Sequence, residues 1–130
     1  MTASLPPQGS ARVWLEADIV CIEFPTGARI TREMVEEIYR QRVALLEAAP
    51  APQKVLAWGT RLIHMDYAAS KYTAGKPVAD ITGRMAIVVQ NSLERSLGSM
   101  FINMFRPAYA SRLFDDRDAA LRWLASMEAA

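Results

Sequence analysis

Apolar and polar positions follow two rhythms along this chain, a period of two and a helical period, and the rhythms alternate to the end. Val13 and Leu15 alternate with polar neighbours, and Ile19, Val20, Cys21, Ile22 and Phe24 form a denser apolar run. With Ala17-Asp18 between them, the two runs predict a β-hairpin whose second strand is the more buried. Pro25-Thr26-Gly27 breaks the strand. Thr31 then stands where a side-chain oxygen caps a helix. Glu33, Glu36 and Glu37 crowd the first turns of that helix and Arg40 and Arg42 follow, an order that suits the helix dipole. Met34, Val35, Ile38, Leu45 and Leu46, with Tyr39 beside them, give it an apolar face. The stretch from Ala48-Ala49-Pro50 to Pro52 ends it.

Residues 54–59, KVLAWG, read as a short buried strand. A loop over 60–65 leads to a helix capped by Asp66 and running to Gly75, with Lys76-Pro77 closing it. Ile81-Thr82-Gly83 introduces RMAIVVQ, a β-branched strand that reads as buried on both faces. Asn91 with Glu94 three residues on resembles a capping box, so a helix begins at about residue 92. Pro107 stops it. AYASRLF (108–114) is a short strand, and Asp115 or Asp116 caps a final helix ending near Met127. The order β-β-α-β-α-β-α-β-α predicts an α/β fold with a single mixed sheet of about five strands, a hairpin followed by parallel strands joined by right-handed crossovers. Four helices are expected, mostly on one face. Residues 11–128 make one domain, and residues 1–10, with two prolines and no periodicity, read as a loose tail.

Composition narrows the function without naming it. The chain has 130 residues, 52% hydrophobic and 22% charged, with a net charge of +1. That balance argues against a nucleic-acid binder, which carries a strongly basic stripe. A single cysteine, Cys21, excludes an internal disulfide and lies in an apolar run that predicts a buried thiol. The start of the chain has no secretory pattern, and no apolar run approaches the roughly 20 residues of a membrane span, so a cytoplasmic location is expected. Charge is uneven: residues 54–112 hold eight basic and three acidic side chains, a local +5. This reads as a solvated surface or as a weak anion- or membrane-facing side.

The last third carries a recognisable pattern. Met85 to Val89 is an aliphatic strand. Leu97-Gly98-Ser99-Met100-Phe101 lies on a helix, Pro107 follows it, and Leu113-Phe114-Asp115 leads through Ala120-Leu121-Arg122-Trp123-Leu124. In this the chain resembles the STAS-like superfamily, the anti-sigma-factor-antagonist-like fold, and in particular small stand-alone bacterial members of unknown function. The ending has a physical reason: Phe114 finishes an edge strand, and Ala119 or Ala120, Trp123 and Leu124 share a helical face that packs back on the sheet. Antagonist members are switched by phosphorylation of a serine at the start of the helix after the third strand. In the matching region, Ile63 to Ser70, Asp66 aligns with the family's aspartate, but Tyr67 and Ala68 replace both hydroxyl residues and Ser70 lies inside the helix. The resemblance therefore implies a binding or regulatory module without a phosphorylatable switch serine. Stand-alone relatives are suspected of membrane association, which implies the alternative of a carrier or sensor of a small apolar molecule.

Catalytic residues, metal ligands and cofactors are not expected. His64 is the only histidine and has no companions at ligand spacing. Thr60 and Arg61, after the strand ending at Gly59, with His64 and Asp66 before the next helix, form the candidate ligand or anion site, because ligands of open α/β sheets gather beyond the carboxyl ends of strands. The helix over 92–106 carries more large apolar side chains than the stripe of about 100° that one sheet contact needs. Leu93, Leu97, Met100, Phe101 and Met104 share a face, Phe105 widens it and Ile102 points nearly opposite. Met100, Phe101, Ile102, Met104 and Phe105 are therefore interface candidates: a homodimer face, a contact for another protein, a wall for a small apolar ligand, or a weak membrane contact. A carrier should hold an apolar cavity between helix and sheet. A partner-binding module should have a filled core and an exposed apolar patch.

Overall fold

The computed structural model describes residues 10–129; the expected tail over 1–10 therefore falls almost wholly outside the described residues. The hairpin forms where the alternation placed it: β1 (Arg12–Glu16) pairs antiparallel with β2 (Ile19–Glu23) across a two-residue turn. Ala17 takes a φ of 55° there, the left-handed conformation that the primed hairpin turns require. Thr31 caps α1 (Arg32–Ala44), its hydroxyl accepting from the Met34 amide at 3.2 Å. β4 (Gln53–Trp58) lies parallel to β2, β6 (Thr82–Val88) parallel to β4, and β7 (Ala110–Phe114) parallel to β6. The sheet order is β1-β2-β4-β6-β7. Each parallel crossover steps one place in the same direction, so right-handed connections put every intervening helix on one face.

Four helical segments fall where the periodicity placed them, and three details differ. β3 (Arg29–Ile30) and β5 (His64–Met65) pair in parallel as a small separate sheet; strands of two residues leave no alternation to read. Lys76-Pro77 does not close the helix α2 (Tyr67–Thr73) but opens another, α3 (Lys76–Ile81), with the proline in its first turn. Proline lacks an amide hydrogen that is orphaned at that position anyway. The helix expected over 92–106 is α-helical only as α4 (Ser92–Met100) and continues as a π-helical segment, Phe101–Phe105. Arg106 ends it at a φ of 50°, just before Pro107.

The last helix, α5 (Arg117–Ala125), follows the edge strand and returns over the opposite face, with a 3-10 turn, Ser126–Ala129, after it. Asp116 caps it, accepting from the Asp118 amide at 3.2 Å. Leu56 and Ala86 from the sheet and Ala120 and Leu124 from α5 have no accessible surface. Trp123, expected on that packing face, is half-buried at its rim: its ring tilts against Phe114 at 5.6 Å and lies under the Arg84 guanidinium at 4.8 Å. Both faces of β4 and β6 are thus covered, as their continuous apolar character requires. One register shift interrupts the β4–β6 ladder, where Gln53 pairs with Thr82 but Lys54 with Arg84.

Candidate functional site

On α1, Val35, Ile38 and Arg42 stand three and four residues apart and are buried against the sheet. Val35 and Ile38 join Val20, Ile22, Val55, Ala57 and Met85 in the larger core cluster. Across from α1, α4 comes close to β7, because Gly98 has no side chain: a Cβ there would lie 2.6 Å from Leu113 Cδ2. The helices do not fill the space between them. A cavity of about 100 Å³ remains, floored by Ile22, Ala57, Met85 and Ile87, walled by Val35, Ile38 and Tyr39 on one side and Leu97, Gly98 and Phe101 on the other, with Leu62 and Met65 above. Its far wall is where α4 gives way to the π-helical segment. Such turns, one residue wider than an α-turn, recur at functional sites.

Three polar groups interrupt this apolar lining. Arg42, 1% exposed, lies beside the starts of β4 and β6. Its Nε donates to Gln53 Oε1 at 2.9 Å, and Nη2 to Thr82 Oγ1 at 2.9 Å and to the Ile81 carbonyl at 3.3 Å. Gln53 in turn donates to the carbonyls of Ala49 and Arg42. Every partner of the guanidinium is neutral, and no carboxylate among the described residues pairs with it. Burial lowers its pKa from 12.5 to about 10, opposed only by the nearby phenols of Tyr109 and Tyr39. Thr73 has a buried hydroxyl oxygen without a hydrogen-bond partner, and its carbonyl accepts from the Tyr109 hydroxyl at 2.8 Å. Burial holds the Tyr109 phenol well above its ordinary pKa of 10.0.

At the other end of the cavity Glu94 is buried and fully bonded. Asn91 Oδ1 accepts from its amide at 2.8 Å, the first half of the expected capping box. The return bond reaches one residue further back than the motif prescribes, Oε1 accepting from the Gln90 amide at 2.8 Å. Oε2 accepts from the Leu62 amide at 3.1 Å, fastening the 60–63 loop to α4.

The anion candidates from the sequence lie outside this cavity. His64 and Asp66 come together, Nε2 to Oδ1 at 3.4 Å, and Arg29 Nη1 reaches the same oxygen at 3.1 Å. Asp66 holds the cap position of α2, but its side chain makes no cap bond, because Arg29 and His64 occupy it. Thr60 and Arg61 remain exposed on the preceding loop, where the Thr60 carbonyl accepts from the Gly27 amide at 2.8 Å and Arg61 has a φ of 53°. Ser70 is buried inside α2, and Tyr67 and Ala68 ahead of it are exposed.

The interface candidates divide. Phe101 is 4% exposed and belongs to the cavity wall. Phe105 stacks on it at 6.5 Å and meets the Tyr67 ring edge-on at 5.3 Å. Ile102 is half-buried, whereas Met100 and Met104 are 46% and 70% exposed. Leu93, Ile63 and Tyr67 are exposed as well. Arg95 pairs with Asp115 at 3.6 Å across the α4 start. Among the described residues no cluster of side chains suits a metal ion, and no helix is long and apolar enough to cross a membrane. The sequence reading assigned none of Arg42, Thr73 and Glu94 to a site, and met Arg42 and Glu94 only as dipole and capping residues. The spacing Val35, Ile38, Arg42 was the available signal for the first, since it sets the arginine on the apolar stripe; a helix-dipole role near the C-terminal turn explained it equally well.

No curated protein matches the chain. Among solved structures it is similar to an uncharacterized protein of the DUF3478 family with a SpoIIAA-like fold from Shewanella loihica PV-4, at a TM-score of 0.59 and 19% identity, over 88% of this chain and 92% of that one. At that identity the likeness establishes the fold alone, and it is the STAS-like fold that the C-terminal pattern implied. A family model described as a domain of unknown function, DUF7793, matches residues 13–128, so the chain belongs to that family.

Proposed function

We propose that this protein is a non-enzymatic binding module that takes a small apolar molecule between its sheet and its helices. The observation that carries this reading is the cavity of about 100 Å³ with nearly all-apolar walls. Spaces lined by apolar side chains accept small apolar guests. A guest that binds only the folded state stabilises it in proportion to the logarithm of its concentration over Kd. Titration with 1-octanol should therefore raise the melting temperature, and native mass spectrometry of protein purified without detergent should reveal a co-purified small molecule. Ala57→Phe, which fills the cavity from its floor, should abolish the octanol response. Absence of any stabilisation by apolar guests, with no co-purified mass, would refute the reading.

A second reading rests on a separate observation, the exposed Met100 and Met104 with Leu93, Ile63 and Tyr67 nearby. Methionine adapts its shape at promiscuous apolar contacts. On this reading the face meets a second copy of the chain. Sedimentation should detect a dimer that Met104→Glu weakens; a monomer at the highest attainable concentration removes it.

A further inference from the structure

The cavity contains a cation that no carboxylate among the described residues neutralises. A guanidinium has five N–H donors. Three of those on Arg42 are used, one at Nε and two at Nη2, all on neutral acceptors. The two on Nη1 donate to no partner among the described residues, although the side chain is 1% exposed and lines the cavity. Thr73 Oγ1, on the same lining, is buried and equally without a partner. A buried charge without a counter-ion is costly, and so is each unsatisfied polar atom. Tyr109 connects the two, bonding to the Thr73 carbonyl and lying close enough to Arg42 to act on its charge. Two free N–H groups and one hydroxyl at a single end of an apolar space form an incomplete recognition site for a monoanion.

We infer that the cavity takes a small apolar carboxylate, its head bonded by Arg42 Nη1 and Thr73 Oγ1 and its hydrocarbon body lying along Ile38, Met85, Leu97 and Phe101. The inference rests on the reading of the cavity as a ligand site and goes beyond it by naming the head group. Three donors suit the lone pairs of one carboxylate and are too few for a phosphate dianion. Shape agrees: the lining runs from Arg42, beside the starts of β4 and β6, to Glu94 and Leu97, beside their ends. A hydrocarbon body lying along the strands therefore reaches from the Arg42 end of this lining toward the Leu97 end. Glu94 at the far end has both oxygens occupied by amides, and its charge keeps the anionic head at the Arg42 end.

Titration of the full chain with octanoate and with 1-octanol, which differ only in the head group, tests this. Charge-assisted bonds should make octanoate bind at least about tenfold tighter near neutral pH. Octanoate should also move the guanidinium resonance of Arg42 in NMR spectra, and octanol should move only the amides of cavity residues such as Ala57 and Met85. Arg42→Gln should bring the two affinities together; should that variant not fold, the wild-type pair still decides. Equal affinities in the wild type, or a preference for octanoate without movement of the Arg42 resonance, overturn the assignment of the head group and leave the cavity as an apolar site. Binding of neither compound overturns both readings.

Discussion

The two faces of the central sheet are packed in different ways. α5 closes one face alone. Its Ala120 and Leu124 pack with Leu56 and Ala86 of the sheet in one cluster, and none of the four keeps any accessible surface. The other face carries α1, α2, α3, α4 and the π-helical segment, five pieces meeting at different angles over a broader floor. It buries more residues, yet leaves a cavity and, within it, an arginine that pairs with no carboxylate among the described residues. One helix on a pleated surface can fill every gap. Several helices, one of them widened by a π-turn, leave the space where their axes diverge. In this molecule the solid face explains why the fold holds together, and the hollow face is where a ligand has room.

Truncation gives the largest expected contrast. Leu124→Ala on the solid face should cost about 3–5 kcal/mol of stability, the upper range for a side chain whose surroundings cannot collapse. Leu97→Ala, which enlarges a cavity already present and removes a half-buried side chain, should cost less, about 1–2 kcal/mol. Denaturant midpoints at constant slope measure both, and equal losses would erase the distinction between the faces.

Overfilling reverses the comparison. Ala86→Val adds volume where there is none and should destabilise by about 1–3 kcal/mol. Ala57→Val, on β4 opposite Ile87 and facing the other way, points its extra methyls into the cavity and should be neutral or stabilising by up to about 1 kcal/mol. Ala57→Val matching Ala86→Val in cost would mean that the hollow face is already full.

The smallest effect sharpens the electrostatics of the hollow face. Tyr109 has its phenol pKa raised by burial, with the Arg42 charge pulling it partly back. The folded state therefore holds this proton after the unfolded chain has lost it, and wild-type stability attributable to Tyr109 falls as pH rises past 10, by about 1.4 kcal/mol per unit. Tyr109→Phe should cost about 1 kcal/mol at pH 8, through the lost bond to the Thr73 carbonyl. Relative to the wild type it should regain about 1.4 kcal/mol by pH 11. A difference that does not change with pH would place the phenol in contact with solvent.

How much of this was legible follows from the kinds of signal involved. The hairpin, α1 with its Thr31 cap, β6 and the Asn91 cap of α4 rest on local periodicity and capping chemistry, and a sequence displays both directly. α3 was hidden because Lys76-Pro77 reads equally as a stop and as a first turn. The π-helical segment was hidden because Met100 to Phe105 is apolar at every position but Asn103, which leaves no period to separate a wide turn from an ordinary one. That same surplus of apolar residues was noticed, with a dimer face, a partner contact and a ligand wall left open for it, and Phe101 lies in the cavity wall. The polar end of the cavity was the least legible. Arg42, Gln53, Thr73 and Thr82 come from four segments, and only the assembled sheet places their side chains together.

The register shift between β4 and β6 governs that assembly. Past the shift, Lys54 and Arg84 share the α5 face, and Val55 and Met85 share the cavity face. By strict alternation Thr82 would lie with Arg84, pointing away from Arg42. The extra residue, Gly83, reverses its parity, so Thr82 sits opposite Gln53 and its hydroxyl reaches the guanidinium at 2.9 Å. The cation's environment is therefore written in a count of residues as much as in their identities. Deleting Gly83 would leave Thr82 opposite Gln53 in a regular ladder, whereas inserting one more residue beside it would leave all four side chains in the chain and turn Thr82 to the wrong side of the sheet, a lesion that no comparison of residue types at matched positions would detect.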